Sequence, residues 1–263
     1  ELFNYLPLLT YLIHKVGADQ MDNLQLDSYI RLHCSGINFS IYERANPNNC
    51  EEGYAEIVAS TKCLDRNIEK TIDIFRMIFL KPRLFNPQEI MKMTKNFLDY
   101  LNNLNNQGSS SLFLLAKSNL TNSCAIANVL RGPYQINFLK GLIEKNDWFD
   151  VSIELINTYH RIFLNAKVDC NIETETEYSS FLDPIKEITK SFNESENNQE
   201  NMITSPVDKS MFQEYKNVFI STESLTNFTL IACKTVSYND DSNPLYLILS
   251  EIMTNEFLIK KIR

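Results

Sequence analysis

Residues 37–82, INFSIYERANPNNCEEGYAEIVASTKCLDRNIEKTIDIFRMIFLKP, change their apolar period once. Over 37–43, Ile37, Phe39 and Ile41 alternate with Asn38, Ser40 and Tyr42, which predicts a strand with one buried face. NPNNCEEG (46–53) is rich in turn residues and predicts a loop. YAEIVASTKC (54–63) predicts a second strand. From Leu64 the spacing becomes helical: Leu64, Ile68, Ile72, Phe75 and Phe79 fall on one face, and Pro82 stops the run. Two paired strands followed by a block of helices is an α+β signature, not that of a doubly wound sheet.

Upstream, LPLLTYLIHKVG (6–17) predicts a helix with Pro7 in its first turn and Gly17 at its stop. MDNLQLDSYIRLHCSG (21–36) predicts a second, ended by Gly36. Downstream, FNPQE (85–89) is a helix start: Asn86 as N-cap, Pro87 in the first turn and Glu89 as the capping-box partner. That helix is expected to reach about Gly108. Two or three more follow through Leu120, Leu130 and FLKGLIEK (138–145), and Val151, Leu155, Tyr159 and Ile162 form another stripe. AKVDCNIETE (166–175) alternates and predicts a strand with Val168, Cys170 and Ile172 on one face. YSSFLDPIKEITKSF (178–192) predicts a helix that tolerates Pro184 in its opening turns. NESENNQENMITSPVDKS (193–210) is polar and aperiodic, a linker or exposed loop. NVFIST (217–222) and NFTLIACKTV (227–236) predict short strands. A final helix is expected from about Asn243, with no Gly, Asn or Pro to close it before Arg263, so the chain is expected to be a piece of something larger.

The chain has 263 residues, 44% hydrophobic and 22% charged, enough for a substantial core. Its formal net charge is −8. The basic residues are scattered, which argues against nucleic acid as a partner. No run of about 18 apolar residues predicts a membrane span. The opening residues read as a domain helix and not as a targeting leader. Six cysteines, at 34, 50, 63, 124, 170 and 233, form no CxxC pair and are read as reduced thiols. Four N-x-S/T sequons, at Asn38, Asn119, Asn193 and Asn227, are what an Asn-rich chain gives by chance.

No complete catalytic set emerges from residue chemistry. His14, His33 and His160 each lack a second metal ligand at helical spacing. Cys34 follows His33, but sequence neighbours point to different faces and rarely form a dyad. G-x-S-x-G is absent, as are Gly-rich phosphate loops. Glu51 and Glu52 read as solvated surface. Glu173, Glu175 and Glu177 are expected to share one strand face, again in water.

CKTVSYNDDSNPLYLILSEIMTNEFLIKKIR (233–263) resembles the C-terminal region of the presequence protease and falcilysin branch of the insulinase-like zinc metallopeptidases. The carrying pattern is T-V-x-Y, an acidic turn, then a helix with Leu, Met-Thr, Phe-Leu and a closing Ile-Arg. The opening ELFNYLPLLTYLIHKVG and GPYQINFLKGL (132–142) resemble segments of that family's third domain. The resemblance implies a helix-rich α+β, LuxS/MPP-like domain with an antiparallel sheet over residues 1–192, a polar linker at 193–210, and the start of a second similar domain at 211–263. It implies a zinc endopeptidase whose two halves close around a peptide. The Zn2+ would lie outside this chain, in an N-terminal catalytic half that is its partner, along with peptide substrates. Arg263 would contact the substrate at the developing oxyanion, where a positive donor stabilises charge. The piece alone is expected to be inactive. An organellar location is implied: mitochondrial, plastid-like or vacuolar. A non-catalytic binding or scaffold subunit of the same fold, or an unrelated α+β interaction domain, are the alternatives.

Overall fold

The computed structural model describes residues 2–46, 49–106, 110–175, 182–193 and 229–262. A 3-10 turn at Leu2–Tyr5 leads into α1, Leu6–Leu12, with Pro7 in its first turn. This helix is apolar nearly all round, so it is buried on all sides. Leu8, Leu9, Leu12 and Ile13 have no exposed surface. Gly17 ends the turn after it at φ 88°.

Helix α2, Asn23–His33, starts on a capping box, the D-x-x-Q of Asp22 and Gln25. Asp22 accepts from the Gln25 N–H at 2.8 Å, and the Gln25 side chain accepts from the Asp22 N–H at 3.0 Å. Strands β1, Ile37–Asn46, and β2, Asn49–Thr61, form an antiparallel pair with Ile37 opposite Thr61 and Ala45 opposite Gly53. A 3-10 turn at Asp65–Asn67 precedes α3, Ile68–Leu80, and α4 runs Pro87–Asn106. The Glu89 N–H donates to Asn86 Oδ1 at 3.3 Å, as an N-cap requires. Glu89 itself accepts from the Asn86 side-chain amide, not from its backbone.

Four helices complete the layer: α5, Ser110–Lys117; α6, Asn122–Arg131; α7, Pro133–Lys145; and α8, Trp148–Thr158. Thr121 caps α6 and Asp147 caps α8. Helices α4, α6 and α8 and strand β1 pack on α1, and Ile74, Ile78, Ile90, Leu139 and Leu155 seal the core with no exposure. Three buried hydroxyls are satisfied on their own helices: Thr10 donates to Leu6, Thr94 to Ile90 and Ser152 to Trp148, at 2.7–2.8 Å. Helix α9 is Leu182–Asn193. Helix α10, Asn243–Ile252, continues through a wide π turn at Met253–Leu258 into α11, Ile259–Ile262.

The helix-rich α+β class with an antiparallel sheet is what the structure has. Four local expectations need correction. Residues 49–53 extend β2 and are not loop. Residues 166–175 form no strand, and Cys170 and Ile172 are exposed. Residues 229–236 form none either; 217–222 and 227–228 lie outside the described residues. Leu64 precedes its helix and is 60% exposed. A smaller difference sits after α8. Tyr159–Phe163 is a π turn, closed by the Leu164 N–H on the Tyr159 carbonyl at 2.9 Å, and the wider turn buries Phe163 where Ile162 was expected. The polar segment 194–210 and the expected end of α4 at 107–108 also lie outside the described residues.

Gly141 lies mid-way along α7, and a Cβ there would meet nothing within 4 Å. Gly141→Ala is expected to stabilise the chain by about 0.5–1 kcal/mol, because glycine loses the most backbone freedom in a helix. A rise in the urea midpoint checks this; a fall would mean an unseen neighbour.

Candidate functional site

The hairpin has two unlike faces, since residues directly opposite share a face. On one, Ile37, Phe39, Ile41 and Ile57 pack toward the core. Near the far end of that face, Glu43 pairs with Arg131 at the end of α6, and Gly53 lies against the start of α6. A Cβ on Gly53 would stand 2.8 Å from the Ser123 nitrogen, so glycine is what lets the helix backbone reach the sheet.

Among the described residues the other face is open. It carries Asn38 and Ser40, then Tyr42 opposite Glu56 and Arg44 opposite Tyr54. Arg44 Nε donates to Glu56 Oε2 at 2.8 Å, and its guanidinium lies 5.3 Å from the Tyr42 ring centre. The Glu56 hydrogen bond and charge raise the guanidinium above its ordinary pKa. Tyr42 and Tyr54 are 41% and 53% exposed. At the base of the hairpin an open depression of about 350 Å³ is lined by residues including Gly36, Asn38, Ser60 and Lys62. Amphipathic rings beside an ion pair can bind extended peptide.

A titratable cluster lies where the turn after α1 meets β1 and α4. His14 stacks on Phe39, ring centres 5.0 Å apart and 9° from parallel. Burial, and then the charge of Lys15, push its pKa down to about 4. Its Nδ1 is buried without a hydrogen-bond partner among the described residues. Lys15 Nζ stands 3.3 Å from the Tyr11 ring centre, and Tyr11 stacks on Phe97 at 4.6 Å. Burial pushes the Lys15 ammonium down to about 8. Burial and then Tyr100 raise the Tyr11 phenol. Among the described residues no salt bridge reaches Lys15, so the ring face alone opposes the desolvation cost. Lys15→Met is therefore expected to raise stability at pH 7 by about 1 kcal/mol, the desolvation relieved less the cation–π attraction lost. A lower urea midpoint in the variant would overturn that reading.

The three histidines do not come together. His14 is held against Phe39. The edge of His33 meets Tyr29, with its carbonyl accepting from Asn67 at 3.0 Å, and His160 is exposed beside Tyr159. Among the described residues no three His, Cys, Asp or Glu side chains are placed to share a metal ion. These residues therefore do not fit a zinc centre. Glu173 and Glu175 are exposed but share no strand face, because that segment is not a strand. Arg263 and Glu177 lie outside the described residues.

Residues 1–142, more than half of the chain, match the family described as Peptidase M16 (subfamily C) associated. The chain belongs to that family. The match takes in the hairpin, α1–α6 and most of α7. Proteins named mitochondrial presequence proteases are similar to this peptidase-associated chain. That of Yarrowia lipolytica (strain CLIB 122 / E 150) is 25% identical over 148 residues, covering 56% of this chain and 15% of the relative. That of Danio rerio is 23% identical over 174 residues, covering 65% and 17%. That of Candida albicans (strain SC5314 / ATCC MYA-2876) is 25% identical over 151 residues, covering 55% and 15%. The chain thus spans 15–17% of the length of these relatives and is a region of a protease family. No described helix is long and apolar enough to cross a membrane.

Proposed function

We propose that this peptidase-associated chain is a wall segment of an insulinase-like zinc metalloendopeptidase that degrades peptides in a closed chamber. The observation that carries the reading is the match to presequence proteases over about one-sixth of their length. In it, the catalytic zinc belongs to an N-terminal half of the same protein, and this chain contributes substrate contacts. The wall contact is the open face of the β1–β2 hairpin, with Tyr42, Arg44, Tyr54 and Glu56. Its support is the combination of exposed aromatic rings and an ion pair on a face that no described helix covers. The net charge of −8 favours basic peptides, and mitochondrial presequences are Arg-rich and acid-poor. Residues 1–192 form the third domain, 193–210 a linker and 211–263 the opening of the fourth. Arg263 touches the substrate carbonyl region, and the organelle is mitochondrial or similar.

The test uses the full-length protease. Replacing both Tyr42 and Tyr54 with Ala is expected to raise KM for a basic presequence peptide roughly threefold to tenfold with kcat little changed, the mark of lost ground-state binding. An unchanged KM would take the hairpin face off the substrate path. The isolated chain is expected to cleave nothing; chelator-sensitive cleavage by it would overturn the division of labour.

A further inference from the structure

Beyond its last paired residues, Ile37 and Thr61, the hairpin continues for one more step. Gly36 stands at φ 103°, and the Ser35 N–H donates to the Lys62 carbonyl at 2.8 Å, one residue out of step with the Ile37–Thr61 pairing. In an antiparallel pair, the residue before such a donor and the residue after such an acceptor face each other directly, with Cα atoms about 4.5 Å apart and side chains on one face. Those two residues are Cys34 and Cys63. Cys34 is extended (φ −144°, ψ 172°), and so is Leu64 just after Cys63 (φ −77°, ψ 149°). Both thiols are free and half-buried, and both pack against the same core. A disulfide bridges Cα atoms about 4.4–6.8 Å apart, a span that an ideal ladder through the Ser35–Lys62 hydrogen bond would satisfy.

We propose that Cys34 and Cys63 are a reversible thiol–disulfide site that pins the end of α2 to the base of the hairpin. In the reduced protein the Cys34 thiol donates to the Ile30 carbonyl at 3.2 Å; bond formation takes the sulfur off that carbonyl. The oxidant is a small-molecule disulfide. One protein thiolate attacks it, forming a mixed disulfide and releasing one small thiol. The second protein thiolate attacks the mixed disulfide and releases the other. Two electrons pass to the small disulfide, whose halves leave as two thiols carrying the two protons. The bridge closes the chain around residues 35–62, so it narrows the unfolded ensemble and holds the hairpin base on α2 and on the turn leading into α3.

The folded chain is treated with oxidised glutathione, its remaining thiols are blocked, and it is digested without reductant for mass spectrometry. The expected product is a peptide pair joined through Cys34 and Cys63, lighter by two hydrogens than the separate peptides and split by dithiothreitol. Cys34→Ser is expected to trap glutathione on Cys63, and Cys63→Ser to trap it on Cys34. The oxidised chain is expected to melt roughly 5–10 °C above the reduced one. The wild-type result decides even if a variant fails to fold. If Cys34 and Cys63 are each blocked or each carry glutathione while never joining, the proposal is wrong.

Discussion

Gly17→Val is expected to destabilise the chain by about 3 kcal/mol or more, enough to unfold a domain of ordinary stability to a large extent. Gly17 sits at φ 88°, a conformation that costs an L side chain about 1–2 kcal/mol before any contact is made. A Cβ would then lie 2.6 Å from the Met21 carbonyl oxygen and 3.0 Å from the Asp22 carbonyl carbon. Both are backbone atoms, so no rotamer change relieves the overlap. The position is also a junction. The Arg83 N–H donates to the Gly17 carbonyl at 3.1 Å, and Ala18 bridges to both Met21 and Pro82. Pushing Met21 away therefore disturbs the end of α1, the start of α2 and the link from α3 to α4 together. Gly36→Ala is the control. Its φ is 103°, yet a Cβ there meets nothing within 4 Å, so its cost is the conformational part alone, about 1–2 kcal/mol. Urea midpoints for the two variants check the difference; equal losses would put the whole effect in φ.

The helices were legible because their signals are local. Pro7, Asn86 and Val151 lie where a helix start or stripe was read. The strands were legible only where a partner is near in sequence. INFSIYE found YAEIVASTKC across a short connection. AKVDCNIETE has the same alternation, but no described strand pairs with it, and alternation without a neighbouring strand does not make a ladder. The turn-rich 46–53 misled because its composition favours a loop, and Gly53 is a turn former. It is in the strand for a tertiary reason, the approach of α6, which no local pattern carries. Helix α3 misled in a different way. It is apolar on two sides: Ile74 and Ile78 are sealed into the core, while Phe79 meets Phe163 and Phe192 at 5.8 Å. One stripe could not describe both.

The candidate site was less legible. Alternation alone puts Tyr42 and Arg44 on the face away from Ile41, but their pairing with Glu56 and Tyr54 depends on the register, which the sequence leaves open. Lys15 looks like an ordinary cation in the last turn of a helix, where the dipole favours one. Only packing shows it lying over Tyr11. The Glu43–Arg131 pair joins residues 88 apart in the chain and has no sequence signal at all.

His14 sets the second large expectation, a loss of stability between about pH 6.5 and pH 4. Its ordinary pKa of 6.5 falls to about 4 in the folded protein. Below pH 6.5 the unfolded chain binds a proton that the folded chain refuses until about pH 4. The stability contribution is thus whole above 6.5 and is lost as the pH falls through that window, by about 2–3 kcal/mol in all. Carboxylates also titrate there, so wild type alone cannot isolate the histidine. His14→Phe can. A phenyl ring keeps the stack on Phe39, removes the proton site and deletes the buried, unpartnered Nδ1. Both proteins share the carboxylates, so the difference between their pH profiles belongs to His14. The variant is expected to match or exceed wild type at pH 7 and to gain on it by about 2–3 kcal/mol at pH 4. Lys15 does not blur the comparison. Its shift from 10.5 to about 8 makes stability rise with pH only between those values, so it is charged in both states throughout the acid window. Parallel profiles for the two proteins between pH 7 and pH 4 would mean that His14 reaches water in the folded chain and that the stack on Phe39 does not shield it.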